Sequence, residues 1–478
     1  MTRLRLILWL SCTPFLLGGV WCRPARAAER PNVLMIWVDD LRPEIACFGE
    51  RSVDTPNLDR LARRAVRFER GYCNVPVCGA SRASVMTGLR ATPDRFKTYY
   101  ARADRDAPEA QPLHKRLKEA GYHTVSIGKV FHVKADHADG WDENSRPRGK
   151  MAYASPAGRG AAYTTPDNRR LATEAAEDGR RGPPWEVAPV DDQQLPDGHV
   201  AAAACDAIRR LAGAEQPFFI AAGFWKPHLP FVAPEAYWEG HDPAAIALPD
   251  NFDTRPSAPA AAFTNWGELR AYAGIPRRGQ VDRDTARRLI AGYRACVEFV
   301  DAQIGKVLDQ LEHSGAARNT VVLLLGDHGW NLGEHGMWCK HCLFETSMRT
   351  PLLIAAPTLS GFNGDQAHDT LVEFVDIYPT VCQLCGVRPP AGLPGVSLVP
   401  TLRDPAARPR RWAVGRFHTG ETIRTDRYRY SVYPEKSGVA QHMLYDHETD
   451  ESEDHNLADD PRFAKIVAEL RSTLQSER

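Results

Sequence analysis

The sequence predicts an α/β fold: a large mixed, mainly parallel sheet flanked by helices, followed by a smaller C-terminal α+β subdomain. Three observations carry this. The runs "NVLMIWV" (32–38) and "TVVLLLG" (320–326) are apolar throughout rather than alternating, as strands buried on both faces are. Between them, helix-like and strand-like segments alternate at the spacing of parallel crossover units. After Cys385 the Pro-rich "VRPPAGLPG" leads into a tail of short aromatic and charged runs, a different texture.

Along the chain, Arg3 and Arg5 precede the apolar "LILWLSCTPFLLGGVW", and "ARA" at 25–27 offers small residues for cleavage. The apolar run is short and broken by Pro14, so residues 1–28 read as a signal peptide of a periplasmic or secreted protein. No later run is long enough to span a bilayer, so the mature chain is expected to have no membrane span. The main domain is expected over 29–385 and the C-terminal subdomain, with a small antiparallel sheet, over 386–478.

The first strand, Asn32–Val38, ends in Asp39 and Asp40. "TPNLDRLARRAVRFERGY" has Thr55 as a candidate N-cap and apolar residues at helical spacing through Phe68. "SRASVMTG" begins a helix with Cys78 just before it. "QPLHKRLKEAGYHTVSIGKVFH" reads as a helix, a stop at Gly121, a strand and a charged tip. Ser145–Pro196 is polar and aperiodic, and is read as an irregular connection, a lid or surface loop. "GHVAAAACDAIRRLAG" is a helix and "QPFFIAAGFWKPHLPF" a strand entering a loop. The long amphipathic helix from Arg283 to about Gly315 feeds the second buried strand, which ends in Asp327 and His328. The tail is expected to hold short antiparallel strands and a closing helix.

Lys+Arg and Asp+Glu both total 60, so no global field favours nucleic acid, anionic lipid or a polyanion. An anionic substrate must therefore be held by local groups. In open α/β sheets such groups collect at the carboxyl ends of strands. Asp39, Asp40, Asp327 and His328, all at strand ends, make a mainly oxygen-donor set suited to a hard divalent cation. Lys129 and His132, Lys226 and His228, and Lys340 sit on comparable loop tips. Together they describe a cationic pocket for a small dianion or monoester.

Removing Cys12 and Cys22 with the leader leaves nine cysteines, an odd count for an exported chain. Cys73 and Cys78 are close enough in sequence to form a disulfide. The pairs Cys339/Cys342 and Cys382/Cys385 are read as disulfides or buried thiols rather than zinc ligands. Cys78 is the anomaly. A helix N-terminus beside a hard-metal site calls for oxygen, and the sequence supplies sulfur with no activating base in the same motif.

"CGASR", Cys78–Arg82, resembles the signature Cys-x-Pro/Ala-x-Arg of the sulfatase family, in which the cysteine becomes Cα-formylglycine. "NVLMIWVDDLRPEIACFGE", "GKVFH", "KPHLPF", "LGDHGWNLGEHGMWCK" and "YDHETDESEDHNLA" follow in that family's order. "DLRPE", "GKVFH" and "KPHLPF" are most similar to its iduronate-2-sulfatase branch. Ala80 stands where many members have proline, which leaves open whether a formylglycine-generating or an anaerobic sulfatase-maturating enzyme acts on the chain.

The resemblance implies an alkaline phosphatase-like fold. It also implies Ca2+ held by Asp39, Asp40, Asp327, His328 and the formylglycine at Cys78. It gives Arg82 and Lys129 the task of holding the aldehyde hydrate, His132 that of a base, and His228 and Lys340 contact with sulfate; Lys129, His228 and Lys340 would bind substrate. The implied activity is hydrolysis of sulfate esters on a carbohydrate, with 2-O-sulfate of iduronate or another uronic acid of a glycosaminoglycan as the narrower expectation. Other readings are a sulfatase for aryl, choline or marine polysaccharide sulfates, a phosphomonoesterase or phosphodiesterase of the same superfamily, and a non-catalytic carbohydrate-binding relative. The Ser145–Pro196 stretch, Trp338, His341 and the C-terminal subdomain are expected to set specificity.

Overall fold

The two apolar runs pair with each other at the centre of an eight-stranded sheet in the computed structural model, which describes residues 30–147, 162–434 and 440–477. The strands are β1 (Asn32–Val38), β2 (Val66–Tyr72), β3 (His123–Gly128), β4 (Glu143–Ser145), β5 (Phe218–Phe224), β6 (Thr320–Gly326), β7 (Leu352–Ala355) and β8 (Gln366–Glu373). Their order across the sheet is β8-β2-β7-β6-β1-β5-β3-β4. Every neighbouring pair is parallel except those made by β7, which runs antiparallel to β2 and β6.

Apolar residues on both faces of β1 explain its continuous pattern. Leu34, Ile36 and Val38 enter one core, while Val33, Met35 and Trp37 enter the other. The first core also takes α5 (Pro196–Leu211) and the long α6 (Arg283–His313). The second takes α2 (Cys78–Thr87), α3 (Leu113–Glu119) and α7 (Ile377–Leu384). Helices thus cover both faces, as a parallel sheet requires. The Asp282 side chain accepts from Thr285 N and caps α6.

Three expectations are corrected. The helix read through Phe68 stops at Ala62 as α1 (Pro56–Ala62), and β2 begins at Val66. Val66 and Phe68 lie two apart and are buried while Arg67 is half-buried, a strand period that the helical spacing masked. Thr55 caps nothing with its side chain; its hydroxyl accepts from Ala46 N at 2.9 Å. Within 145–196 the described part is not irregular: it holds α4 (Pro166–Glu177) and a strand, Trp185–Ala188, that pairs with Phe231–Pro234. Residues 148–161 of that stretch lie outside the described residues, as does the expected leader at 1–28. Among the described residues no helix is long and apolar enough to cross a membrane.

The tail forms a four-stranded antiparallel meander, β9 (Ala413–Phe417), β10 (Gly420–Arg424), β11 (Tyr428–Tyr433) and β12 (Gln441–Asp446). The closing helix α8 (Ala464–Ser476) packs on it around Ile423, Tyr430, Leu444 and Leu474. A buried ion-pair network ties the meander to the main sheet. Arg429 reaches Glu453 at 2.7 Å and also pairs with Glu345, which accepts from the Tyr72 hydroxyl at 2.8 Å. Burial opposes charge on Glu345, yet Arg429 and Arg424 hold it well below the ordinary carboxylate range.

Gly128 ends β3 with φ 75°, and a Cβ there would sit 2.1 Å from Gly223 O. Gly128→Ala is expected to lower the unfolding free energy by about 2 kcal/mol or more, read from urea melts. Removing Arg429 takes the shared cation from two buried carboxylates, leaving Glu345 to the more distant Arg424 (3.6 Å) and Glu453 to His447. Arg429→Met should cost about 3–5 kcal/mol at pH 7. Because the folded carboxyl pKa values are depressed, the network's contribution is present above pH 4.5 and lost as pH falls further. The same variant should therefore lose less stability at pH 4 than at pH 7.

Candidate active site

Parallel pairing brings the charged tips together. Val38 lies beside Gly326, so Asp39-Asp40 and Asp327-His328 leave the same edge of the sheet. Gly128 lies beside Gly223, so the loops carrying Lys129 and His132, and then His228, emerge next to them. Asp40 N donates to Asp327 Oδ1 at 3.0 Å and locks the two tips.

Helix α2 enters against this edge with Cys78 as its first residue and every side chain buried. Its N-terminal N–H groups face the site, where they favour negative charge. Arg82, one turn in, donates Nε to Asp327 Oδ2 (2.9 Å) and Nη2 to Asp39 Oδ1 (3.1 Å), and lies over the Trp37 ring at 5.1 Å. Lys129 pairs with the other Asp39 oxygen. Burial would raise the Asp39 carboxyl, but Lys129 and Arg82 hold it well below the ordinary range. Cys78 Sγ lies 3.2 Å from His132 Nδ1. Burial and the neighbouring Lys129 push the His132 imidazole down to about 3, so it is neutral.

Lys340 is buried against Asp40, at 2.9 and 3.2 Å from its two oxygens, and lies over the Trp330 ring at 4.7 Å. It also meets Glu268 Oε2 at 2.8 Å, while Glu268 Oε1 meets His228 Nε2 at 3.0 Å. Glu268 was not singled out in the sequence. It lies in "NWGELR", a stretch with no periodicity, and only the fold carries it to His228 and Lys340. Asp197 is a second such residue. Its two oxygens accept from Trp225 N and Lys226 N, both at 2.8 Å, and shape the loop before His228. Lys226 itself turns to the carbonyls of His228 and Pro230, so it supports that loop.

Asp40, Asp327 and His328 offer ligand atoms within 4.8 Å of one another, and so do Asp40, His228 and Glu268. Asp39 and Cys78 stand beside these sets, engaged by cations and by His132. His328 Nδ1 faces Gly329 O at 2.9 Å, which places its proton there. The buried Nε2 then has no hydrogen-bond partner and points its lone pair at Asp40 Oδ1 (3.5 Å) and Asp327 Oδ1 (3.7 Å). A lone pair facing carboxylate oxygens is repulsive unless a cation lies between them. Burial also pushes the Asp40 carboxyl up to about 7, against the pull of Lys340. The residues therefore fit a hard divalent cation.

Counted as ionised, Asp39, Asp40, Asp327 and Glu268 face Arg82, Lys129, Lys340 and His228, whose Nδ1 faces Leu229 O at 2.6 Å and whose Nε2 faces Glu268 at 3.0 Å. With both His228 nitrogens facing acceptors, the four carboxylates are matched by four cations. A divalent cation would leave the pocket positive, which favours an anionic ester. Backbone strain concentrates here as well: Asp40 (φ 64°), Trp266 (40°), Cys339 (66°) and His341 (79°) are all left-handed.

Cys73 and Cys78 form no disulfide, and none joins the described cysteines. No group of three or more metal-ligand side chains among the described residues includes a cysteine. His341 stacks on Phe417 of β9 at 5.6 Å, so the C-terminal meander does reach the pocket. Trp338 does not line its outer wall: it is 1% exposed, packed in the first core and paired in a two-residue ribbon with Leu332.

Comparison with known proteins places this geometry. Residues 31–387 match the family model described as Sulfatase, and residues 333–478 that of the C-terminal part of N-sulphoglucosamine sulphohydrolase. A sulfatase of Formosa agariphila is 30% identical, with 94% of this chain and 87% of that protein covered. Mouse iduronate 2-sulfatase is 28% identical over 81% of this chain and 76% of its own. A Δ4,5-hexuronate-2-O-sulfatase of Bacteroides thetaiotaomicron is 27% identical, with coverages of 94% and 89%. A phosphonate monoester hydrolase of Silicibacter pomeroyi superposes with a TM-score of 0.76 at 23% identity, over 94% of this chain and 95% of its own, a likeness of fold. With its family model spanning the whole sheet and every strand-end residue of the pocket, the chain belongs to the sulfatase family.

Proposed function

We propose that this chain is a calcium-dependent sulfatase that hydrolyses sulfate esters of a carbohydrate, preferring 2-O-sulfate on a uronic acid such as iduronate. The observation that carries the reading is Cys78 at the opening of α2, beside the neutral base His132 and the Arg82–Asp39–Lys129 network. The uronate preference is supported by the two relatives named for iduronate and hexuronate sulfates, both 27–28% identical.

Asp39, Asp40, Asp327 and His328 would hold the ion, which supplies Lewis-acid polarisation of a sulfate oxygen. Formylglycine made from Cys78 would supply a hydrated aldehyde with two hydroxyls, one to attack sulfur and one whose deprotonation later frees sulfate. The remaining work belongs to side chains already in place. Arg82 and Lys129 fix the geometry around residue 78 and stabilise negative charge on it. His132 accepts a proton at Nδ1. Lys340 and His228 bind the sulfate, and His228, with Glu268 against Nε2, is the proton donor to the leaving sugar oxygen.

The reading also includes export through residues 1–28, a main domain over 29–385 with its C-terminal subdomain, and a maturation enzyme acting on Cys78. The fold relative that cleaves phosphonate monoesters makes phosphoryl transfer the alternative to be tested alongside.

Mass analysis of the peptide Gly71–Arg82 from natively produced protein should show an aldehyde in place of the Cys78 thiol. An intact thiol in active protein would sink the proposed nucleophile. Chelation with EGTA should lower the melting temperature and reduce sulfatase activity by about two orders of magnitude, with added Ca2+ restoring both. Activity and melting that ignore the chelator would remove calcium from the reading.

A further inference from the structure

Three side chains near the pocket have no task so far. Tyr99 and Tyr100 are two of four large hydrophobic side chains exposed among the described residues, at 45% and 70%. Their rings lie 4.0 Å apart between centroids. Tyr99 is fixed at the nucleophile. Its carbonyl abuts the first turn of α2, where a Cβ on Gly79 would approach within 2.2 Å, and its ring meets that of His132 edge-on at 6.0 Å. Leaving two adjacent tyrosine rings in water forgoes apolar burial, so folding alone gives no reason for them.

Arg181 is the third. Its backbone is tied to the segment after Glu268, with Arg181 N donating to Ala271 O at 2.7 Å and Ala273 N donating to Arg181 O at 3.0 Å. Arg181 is an exposed residue, and its guanidinium lies over the Tyr272 ring at 5.3 Å, with Nη1 3.4 Å from the Tyr272 hydroxyl. Among the described residues no carboxylate pairs with it; its electrostatic neighbours are Tyr272, Glu268 and Tyr163. Tyr99 in turn feels both Arg181 and Cys78. The tyrosine pair therefore flanks the pocket from the Cys78–His132 side and Arg181 from the Glu268 side.

We propose that Tyr99, Tyr100 and Arg181 form the sugar subsite of the pocket, with the tyrosines stacking on a pyranose face and Arg181 clamping its carboxylate. The proposal rests on the carbohydrate sulfatase reading above and deepens it. A planar guanidinium matches a carboxylate in a two-bond fork, and stacking on Tyr272 restrains the fork's orientation. Tyrosine offers a flat apolar face with a polar tip, the surface that a sugar ring covers. A chain with no net charge would thus recognise two anionic groups locally: sulfate at Lys340 and His228, carboxylate at Arg181.

The test compares a 2-O-sulfated uronate disaccharide with the same sugar reduced at its carboxyl to an alcohol. Wild type should favour the uronate in kcat/KM by about 10- to 100-fold. Arg181→Met should bring that ratio close to one, and Arg181→Lys should retain part of it. Tyr100→Ala should lower kcat/KM on both sugars while keeping the ratio. Calorimetry on Cys78→Ala protein, which cannot turn over, should show the same loss of uronate selectivity when Arg181→Met is added. A ratio that survives Arg181→Met in both assays overturns the subsite while the carbohydrate reading stands. Wild type that cleaves both sugars equally removes the carboxylate clamp alone. Wild type that cleaves an aryl sulfate and neither sugar overturns the carbohydrate reading, and the subsite with it.

Discussion

Three carboxylates buried side by side at the ends of β1 and β6 are the constraint to which the rest of the structure answers. Each would cost several kcal/mol to hold away from water without a partner. Arg82 answers for two of them at once, because one turn of α2 places its guanidinium between Asp39 and Asp327. That bridge fixes the entry of α2, and hence puts Cys78 on its first turn. Lys129 answers for the other Asp39 oxygen, which requires the chain to turn sharply at Gly128. Lys340 answers for Asp40 from a loop whose flanking residues, Cys339 and His341, take strained left-handed backbone. The geometry around residue 78 is thus over-determined by charge pairing.

The pairing closes only with His228 counted as a cation. Glu268 occupies the positions beside His228 and Lys340 that an anionic ester is expected to take. An added divalent cation would leave the pocket positive and an anionic ester would offset it, so on the proposed reading metal and substrate are electrostatically coupled. The fold does not choose between sulfur and phosphorus chemistry, since a phosphonate monoester hydrolase shares it. Locally, a cysteine opens α2 beside the strand-end carboxylates.

Much of this was legible beforehand because of how the elements fold. A strand buried on both faces must be apolar along its length, so β1 and β6 announce themselves, and the polar residues that end them mark the functional edge. The CGASR motif is contiguous, so its reading needs no tertiary information. Where periods compete, the sequence misleads. Val66 and Phe68 extend the helical spacing of α1 and also satisfy a strand, and pairing of β2 with β7 and β8 decided the matter. The described part of 145–196 looked irregular because Trp185–Ala188 has a partner only in Phe231–Pro234, far along the chain. Trp338 looked like a rim residue from its neighbours Lys340 and His341, yet its ring is in the core.

By itself the sequence determined the parallel α/β sheet, the two carboxylate-tipped strands, the cysteine at a helix start and the set of basic loop residues. Those properties are carried by short contiguous patterns. Only the tertiary structure decided that Arg82 and Lys129 share Asp39 and that His328 Nε2 is left facing two carboxylates. It alone drew Glu268, Arg181 and the Tyr99–Tyr100 pair to the pocket. These relations join residues as far apart in sequence as Asp40 and His328, and electrostatic pairing and burial act through space, where no local pattern of residues records them.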